Sequence, residues 1–146
     1  MYLSTNAADQ NSFLKINRPR YDDSWKRWNE TLELLSSLDT RTVLRITLIK
    51  NWNDSEKMIP SFTEMFDKSN PLFIEIKSYM HIGRSTNRLE HENMLDMDEV
   101  RNFASGVSQQ SNRFSVMDES EISRIVILQN KKRFTDRYLS AYQETN

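Results

Sequence analysis

The apolar residues of the chain recur with two different periods, and these periods predict its secondary structure. Aliphatic side chains occupy every second position of residues 42–49 and 72–77, which is the alternation of a β-strand. Spacings of three and four residues, typical of amphipathic helices, run between and around these strands. The predicted helices are 9–16, 22–38, 58–68 and 96–107. Asp22, Asp23 and Ser24 are predicted to cap the second helix, and Asp96 with Glu99 predicts a capping box at the start of the fourth. The further predicted strands are 2–6, 114–117 and 124–128, and the acidic residues 118–121 are predicted to connect the last two.

The order of these elements predicts the fold class. Strands and helices alternate through the first half of the chain, and this alternation is typical of right-handed crossovers in a parallel sheet or a partial barrel. After Gly83 the pattern changes, since residues 84–94 are polar and lack a period. They predict a loop of about a dozen residues, a length usual for functional or disordered loops. A final helix is predicted at residues 131–146.

Two of the predicted strands carry polar or charged side chains at alternate positions. Glu75 and Lys77 lie in the strand at 72–77, and Arg45 and Thr47 hold similar positions in the preceding strand. A strand between helices usually sits in a sheet covered on both faces, where a charge is costly unless it is paired or used. Glu75 and Lys77 therefore mark either the wall of an active site or an exposed edge strand whose charges are solvated.

Composition bounds the class of protein. The 146 residues are 37% hydrophobic and 28% charged, which suits one globular domain with its own core. A net charge of −1 argues against a globally basic nucleic-acid binder but leaves local basic patches open. The chain has neither an apolar run of about 18 residues nor a basic, apolar leader at its N-terminus. We therefore expect no membrane span and a cytoplasmic location.

Cysteine is absent from the chain, and glycine occurs twice. Without cysteine there is no disulfide and no thiolate ligand for zinc or an iron–sulfur cluster. Two glycines cannot build a phosphate-binding glycine-rich loop, which excludes P-loop and dinucleotide-fingerprint proteins. His81 and His91 have no further ligands near them in the sequence, so we predict no metal site.

Several short segments carry a family resemblance. They are Asn17-Arg18-Pro19, TLELLSSLDTRTVLRITLIKNWN at 31–53, FIEIKSYMHIG at 73–83, STNRL and ENM around Arg88 and Asn93, and ESEISRIVIL. Together and in this order they resemble the wyosine-forming radical SAM enzymes, the tRNA 4-demethylwyosine synthases. The resemblance runs from about Tyr2 to Leu128.

This resemblance implies a reaction on tRNA. Members of the family act on N1-methylguanosine next to the anticodon of phenylalanine tRNA and condense it with carbons from pyruvate. The product, 4-demethylwyosine, belongs to wybutosine biosynthesis. The implied fold is a partial (β/α) TIM-like barrel of the radical SAM type with a small α+β C-terminal extension. A 4Fe–4S cluster on a CxxxCxxC motif cleaves S-adenosylmethionine in these enzymes, and a second cluster is thought to engage pyruvate.

The cluster cysteines of the family lie in its N-terminal half, and this chain has none. The resemblance therefore implies that residues 1–82 form the second half of the barrel. It further implies that residues 83–130 form the wyosine-base-formation extension and that residues 131–146 form a tail. We expect this chain alone to be inactive as a lyase, since it lacks the cluster ligands.

Chemistry in barrels gathers at the carboxyl ends of the strands. For the intact enzyme, the resemblance assigns polar positions near these ends to the cofactor site: Ser4, Asn6, Arg45 and Thr47. For Ser4 and Asn6 the alternative is hydrogen bonding at the strand end. For Arg45 the choice lies between clamping a carboxylate of the cofactor or pyruvate and a buried ion pair with Glu75. Both alternatives stay open.

Lys77 and Glu75 are the predicted catalytic residues. A lysine desolvated in a barrel lumen attacks a ketone such as pyruvate and forms a Schiff base. An ion pair with Glu75 or another carboxylate keeps Lys77 charged instead and makes it an orienting group. We favour the ion pair.

Arg84, Arg88 and Asn93 on the polar loop are the predicted tRNA contacts, since guanidinium groups suit phosphate. The expected partners are the anticodon arm of a phenylalanine-type tRNA and pyruvate. Self-association through the exposed edge of a half-barrel is also expected. Two other functions stay open. One is a non-catalytic RNA- or protein-binding remnant of the family, and the other is an unrelated small α/β enzyme that uses Lys77 and Glu75 as an acid–base pair.

Overall fold

A computed structural model describes residues 1–133 of the chain and shows an α/β fold. Its strands are β1 (Tyr2–Thr5), β2 (Val43–Leu48), β3 (Phe73–Ser78), β4 (Phe114–Ser120) and β5 (Ile125–Asn130). Its helices are α1 (Gln10–Asn17), α2 (Ser24–Ser37), α3 (Ile59–Ser69) and α4 (Met97–Gln110). The predicted helices and strands are thus confirmed within a few residues. The predicted helix at 131–146 lies outside the described residues from position 134 onward.

The five strands form one open sheet in the order β1-β2-β3-β5-β4. The first three strands run parallel, as their alternation with helices predicted, whereas β5 pairs with β3 in the antiparallel direction. The described residues therefore form an open mixed sheet in which no barrel closes. The segment at 83–130 adds α4, β4 and β5 to the sheet that residues 1–82 begin.

One face of the sheet carries the hydrophobic core. The core side chains of β2 and β3, together with Val126 and Leu128 of β5, pack against side chains of α2, α3 and α4. The opposite positions of β2 and β5 stay half-exposed, so burial alternates strictly along both strands. We call the half-exposed side of the sheet the open face. Burial on one face only is what a two-layer arrangement of helices on a sheet produces.

The open face corrects the expected cover of the sheet on both faces and the alternative edge position of Glu75 and Lys77, and their role in the wall of an active site stays a prediction. The sheet is not covered on both faces by the described residues, and β3 is the central strand rather than an edge. Helices that flank a strand in the sequence can all pack on one face of the sheet, as α2, α3 and α4 do here. The polar alternation in β2 and β3 in fact reports one half-exposed face.

Local sequence signals explain where the helices begin. Asp96 and Glu99 form the predicted capping box of α4, each side chain accepting a hydrogen bond from the backbone N–H of the other residue. Asp9 caps α1 in a similar way, through the N–H of Ser12. Asp23 was predicted to cap α2, but its side chain makes no cap hydrogen bond there. Its carboxylate instead accepts a hydrogen bond of 2.7 Å from Arg27 Nε, one helical turn along.

The polar loop after β3 contains two short 3₁₀ turns, Gly83–Asn87 and His91–Asn93. Gly83 begins the first turn with φ of +64°, a left-handed conformation that glycine adopts without a steric penalty. Leu89, between the turns, is buried in a small cluster with Ile16, Ile49 and Tyr79. This cluster fixes the loop against the end of α1.

Asn53 joins the carboxyl ends of β1 and β2. It is fully buried, and its Oδ1 accepts a hydrogen bond of 2.6 Å from the N–H of Ile49. Its Nδ2 donates to the carbonyl oxygens of Asn6 and Thr47, both at 2.9 Å. One side chain therefore satisfies three backbone groups where the strands end. No helix in residues 1–133 is long and apolar enough to cross a membrane.

Replacing Asn53 with alanine tests this junction. Each buried hydrogen bond contributes about 1 kcal/mol, so Asn53→Ala is expected to lower the free energy of unfolding by about 3 kcal/mol. Urea denaturation followed by circular dichroism measures the change. Asn11→Ala is the matched control, because Asn11 is exposed on α1, and we expect it to shift stability by less than about 0.5 kcal/mol. Equal free energies of unfolding for Asn53→Ala and Asn11→Ala would contradict a stabilising role of the Asn53 hydrogen bonds.

Candidate functional site

The open face gathers the polar side chains of three parallel strands. Parallel pairing places Ser4 beside Arg45, Arg45 beside Glu75, and Thr47 beside Lys77. Because alternate residues of a strand share a face, these side chains form two neighbouring rows across β1, β2 and β3. Five of the predicted site residues are therefore brought together.

Tyr2, Arg45 and Glu75 form a hydrogen-bonded cluster at the centre of this face. Arg45 Nε lies 3.4 Å from Glu75 Oε1 and donates a hydrogen bond of 3.0 Å to the Tyr2 hydroxyl oxygen. The Tyr2 hydroxyl in turn donates to Glu75 Oε2. The Arg45 guanidinium also lies 4.7 Å above the Tyr2 ring, which adds a cation–π contact. We call these three residues the Tyr2 cluster.

The Tyr2 cluster neutralises a charge that is largely removed from solvent. The Glu75 side chain is 17% exposed and that of Arg45 is 34% exposed, so each ion needs the other. The ion pair between Arg45 and Glu75, which the sequence analysis kept as one alternative, is therefore present. Sequence reasoning did not include Tyr2 among the site residues. The only available signal was its place two residues before Ser4 on the same face of a strand.

The cluster shifts the titration of Tyr2. Burial raises the pKa of the Tyr2 phenol above its ordinary value, and the Glu75 carboxylate adds to this rise. Arg45 acts in the opposite direction, since its positive charge favours the phenolate. The neutral phenol is therefore the stabilised form, which suits its role as hydrogen-bond donor to Glu75.

Lys77 lies next along the open face and is not part of this cluster. An ion pair between Lys77 and Glu75, one form of the favoured prediction, is wrong, because Tyr2 and Arg45 occupy the Glu75 carboxylate. Within residues 1–133, Lys77 forms no ion pair and no side-chain hydrogen bond. Its half-buried ammonium group therefore stands on the open face with its donors available to a ligand.

The remaining predicted cofactor residues differ in the hydrogen bonds that their side chains form within the chain. Ser4 is exposed on the open face. Asn6 follows β1, and its Oδ1 accepts a hydrogen bond of 3.2 Å from the N–H of Thr47. Asn6 therefore makes the strand-end hydrogen bond that the sequence analysis kept as its alternative. The cofactor role of Ser4, Asn6 and Thr47 stays a prediction.

The three predicted tRNA contacts lie on the loop after β3, and two of them are used inside the chain. The Arg88 guanidinium donates hydrogen bonds of 3.3 Å to the carbonyl oxygens of Lys15 and Ile16. The Asn93 side chain accepts from the N–H of Glu90 and donates to the carbonyl of Lys50. Arg84 is exposed and has no partner in the described part of the chain.

His81 and His91, distant in sequence, meet in the structure. Their ring centroids are 6.1 Å apart, and His81 Nδ1 lies 3.1 Å from the Tyr79 hydroxyl. Among residues 1–133, no group of three histidine, aspartate or glutamate side chains is placed to hold a metal ion. Since the sequence also lacks cysteine, an iron–sulfur cluster does not fit the residues of this chain.

A shallow apolar groove of about 200 Å³ adjoins the Tyr2 cluster on the open face. Its lining residues are Tyr2, Val43, Phe73, Glu75, Met117 and Ile127. A larger cavity of about 790 Å³ lies on the helical side, between α4 and the start of α3. The charged residues of the open face thus border an apolar surface, a combination usual for sites that hold small ligands.

Comparison with known proteins shows what this fold is related to. Residues 68–130 match the family described as wyosine base formation. The tRNA 4-demethylwyosine synthase of Methanocaldococcus jannaschii is 37% identical over 133 residues, which are 91% of this chain and 41% of that protein. The resemblance to the tRNA 4-demethylwyosine synthases is confirmed. The enzyme of Pyrococcus abyssi is 36% identical, with 88% of this chain and 37% of that protein covered.

Two solved structures of TYW1 support the same relation. One, described as TYW1 with a lysine-pyruvate adduct bound, has a TM-score of 0.79 and 35% identity and covers 90% of this chain and 41% of that chain. The other, archaeal TYW1, has a TM-score of 0.71 and 31% identity and covers 39% of that chain. This chain thus spans about two fifths of the archaeal relatives that it matches.

The Tyr2 cluster predicts a measurable pH dependence. The Tyr2 phenol is expected to ionise above pH of about 10, and Glu75→Gln is expected to lower its midpoint by removing the carboxylate. The measurement is the tyrosinate absorbance of each protein minus that of its Tyr2→Phe counterpart. Because the folded-state pKa is raised, the stabilisation is complete below pH of about 10 and is lost as pH rises through the shifted value. An identical midpoint with and without Glu75 would contradict the cluster.

Proposed function

We propose that this chain provides part of an S-adenosylmethionine-dependent tRNA 4-demethylwyosine synthase, acting on phenylalanine tRNA in wybutosine formation. The observation that carries this proposal is the similarity to TYW1 with a lysine-pyruvate adduct bound, together with an unpaired Lys77 on the open face. The names of the curated relatives point to the same reaction. The chain spans only about two fifths of these relatives. Its proposed contribution to the activity is therefore the part of the active site that its own residues line.

The proposed arrangement is half of a radical SAM barrel. Residues 1–82 supply its parallel strands, residues 83–130 form the extension, and residues 131–146 form the tail. The parallel order of β1, β2 and β3 supports this proposal, as does the charged open face, which would line the lumen of a closed barrel. The cluster that begins the radical chemistry belongs to residues outside this chain, since no cysteine is present to ligate it.

Lys77 is the proposed contact for pyruvate. For an adduct, the ammonium first gives a proton to a base. The amine nitrogen then attacks the ketone carbon of pyruvate, and the carbinolamine loses water to form the imine. Arg45 stands in the neighbouring row and carries the guanidinium charge that suits the pyruvate carboxylate. Glu75 holds Arg45 in place, which makes it a positioning residue in this proposal.

Ser4, Asn6 and Thr47 remain the proposed contacts for S-adenosylmethionine, which supplies the radical when a cluster cleaves it. They lie at or near the carboxyl ends of β1 and β2, where ligands of parallel sheets bind. The exposed hydroxyl of Ser4 offers a donor to a ribose or a carboxylate.

The second candidate is a non-catalytic remnant that binds RNA or a protein. The absence of cluster ligands favours it, because this chain cannot cleave S-adenosylmethionine by the mechanism of the family. Self-association is a related expectation, since one edge of β1 pairs with no strand in residues 1–133 and the groove on the open face is apolar. The acid–base enzyme loses its support, because Glu75 is paired with Arg45 and not with Lys77.

A chimera distinguishes the enzyme part from the remnant. In the Methanocaldococcus jannaschii relative, the matching region is replaced by residues 1–130 of this chain, and the reconstituted protein is assayed for 4-demethylwyosine in tRNA by mass spectrometry. We expect product above background, because the open face presents the same walls. A chimera that folds and binds its cluster but forms no product would contradict the proposal.

Lys77 is tested by trapping. Borohydride reduction in the presence of pyruvate is expected to add one reduced pyruvate to the chimera at Lys77, since reduction makes an imine permanent. Lys77→Arg keeps the positive charge and removes the nucleophile, so it should abolish both trapping and product. Lys57→Arg is the matched control, as Lys57 lies within the transferred residues and is exposed in the short turn before α3. Trapping at another lysine with Lys77 unmodified would refute the assignment.

A further inference from the structure

Residues 10–20 and 76–89 contain lysine and arginine but no acidic residue, as is also true of residues 40–53 and 122–135. Residues 10–20 and 76–89 together hold six of the 20 lysine and arginine residues, whereas none of the 21 acidic residues falls in either segment. The six are Lys15, Arg18, Arg20, Lys77, Arg84 and Arg88. Such segments form a local basic surface where the fold brings two of them side by side.

The fold brings these two segments together. Arg88 reaches across the gap and donates hydrogen bonds to the carbonyl oxygens of Lys15 and Ile16 at the end of α1. Beneath this contact, Ile16 and Leu89 are buried in one apolar cluster. Arg88 is therefore a brace between α1 and the loop. We call Lys15, Arg18, Arg20 and Arg84 the basic ridge.

The cations of the basic ridge are not neutralised by the described residues. Arg18, Arg20 and Arg84 are exposed and form no ion pair within residues 1–133. Some other cations of the described residues are paired, as Lys50 is with Glu99 and Arg101 with Glu119, whereas Lys77, Lys131 and Lys132 form no ion pair within residues 1–133. The Lys15 ammonium lies 4.6 Å from the centre of the Trp52 ring, a contact that holds it at the surface and leaves its charge in place.

The backbone of the ridge is fixed. Arg18 has a left-handed conformation with φ of 46°, and its N–H donates to the carbonyl of Leu14 at 3.2 Å, ending α1. Pro19 then restricts the next step of the chain. The C-terminus of a helix carries partial negative charge, which disfavours a bound anion. Here the Arg88 guanidinium covers two of the exposed carbonyl oxygens and offsets that charge.

The basic ridge lies at the carboxyl end of the parallel strands, the end at which ligands bind in such sheets. α1 follows the carboxyl end of β1, and Arg84 follows the carboxyl end of β3. Lys77, the proposed pyruvate contact, lies near that same end of β3. An anion bound on the ridge would therefore lie beside the open face rather than behind it.

We infer that the basic ridge binds the phosphate backbone of the tRNA substrate and sets its position at the carboxyl end of the open face. This inference rests on the proposed function for the identity of the RNA. Exposed guanidinium and ammonium groups that contact phosphates read no base edges, so the ridge would position the RNA without selecting its sequence. Arg88 acts through the ridge as a positioning residue.

Binding of an unmodified phenylalanine tRNA transcript to this chain tests the inference. Dissociation constants are measured at salt concentrations from roughly 50 to 200 mM, where each phosphate contact contributes about 0.7 to 0.9 to the slope of log affinity against log salt. The ridge variant is Arg18→Asn with Arg20→Ala, since asparagine tolerates the left-handed conformation. A second variant combines Lys15→Ala with Arg84→Ala. Circular dichroism confirms that each variant folds.

The matched control is Lys131→Ala with Lys132→Ala, which removes the same charge from the opposite end of the sheet. We expect each ridge variant to bind about tenfold more weakly at low salt, with a slope smaller by about 1.5, and the control to bind like the wild type. Equal binding by ridge and control variants would overturn the inference, and so would a wild type without salt-dependent binding. If the chimera forms product but the ridge variants bind tRNA like the wild type, the inference about the basic ridge is refuted and the proposed function is not. If the ridge variants bind tRNA more weakly but the chimera forms no product, the proposed function is refuted and the inference about the basic ridge is not.

Discussion

Burial of the sheet on one side is the constraint on which the other features depend. Helices α2, α3 and α4 cover one face and supply the core, while the open face keeps its alternate positions half-exposed. Stability and chemistry are thereby separated, because a substitution on the open face does not disturb the packed core. A charged side chain on that face can be neutralised by a neighbour on an adjacent strand. Arg45 and Glu75, which stand opposite each other in β2 and β3, meet this requirement.

The sequence predicted those features that depend on neighbours in the chain. The helices, the parallel order of the first strands and the capping box at Asp96 all follow from spacing over a few residues. Contacts between distant residues were not predictable in this way. Glu75 pairs with Arg45 and Tyr2 because parallel registration sets them side by side, and no local pattern encodes that choice over Lys77. The contact of Arg88 with the end of α1 is likewise visible only in the fold.

The acidic segment after Met117 shows a further reason for error. It was predicted as a connection, yet Asp118 and Glu119 belong to β4. An edge strand with both faces partly exposed carries no apolar alternation, so periodicity gives no signal there. The family resemblance was more robust than these local predictions, because it depended on several segments in order. It covered the strands of the open face and the extension together, which is also the extent of the similarity to the archaeal relatives.

The antiparallel pairing of β5 with β3 has a consequence for assembly. β5 occupies the side of β3 on which a parallel series would continue, and β4 then ends the sheet with a bulge between Val116 and Asp118 and with acidic side chains. A bulged, negatively charged border discourages another strand from joining. The opposite edge of the sheet, β1, has neither a bulge nor an acidic side chain. The sheet is therefore directional: it is terminated on one flank, and any strand added in the direction of the parallel series must join beside β1.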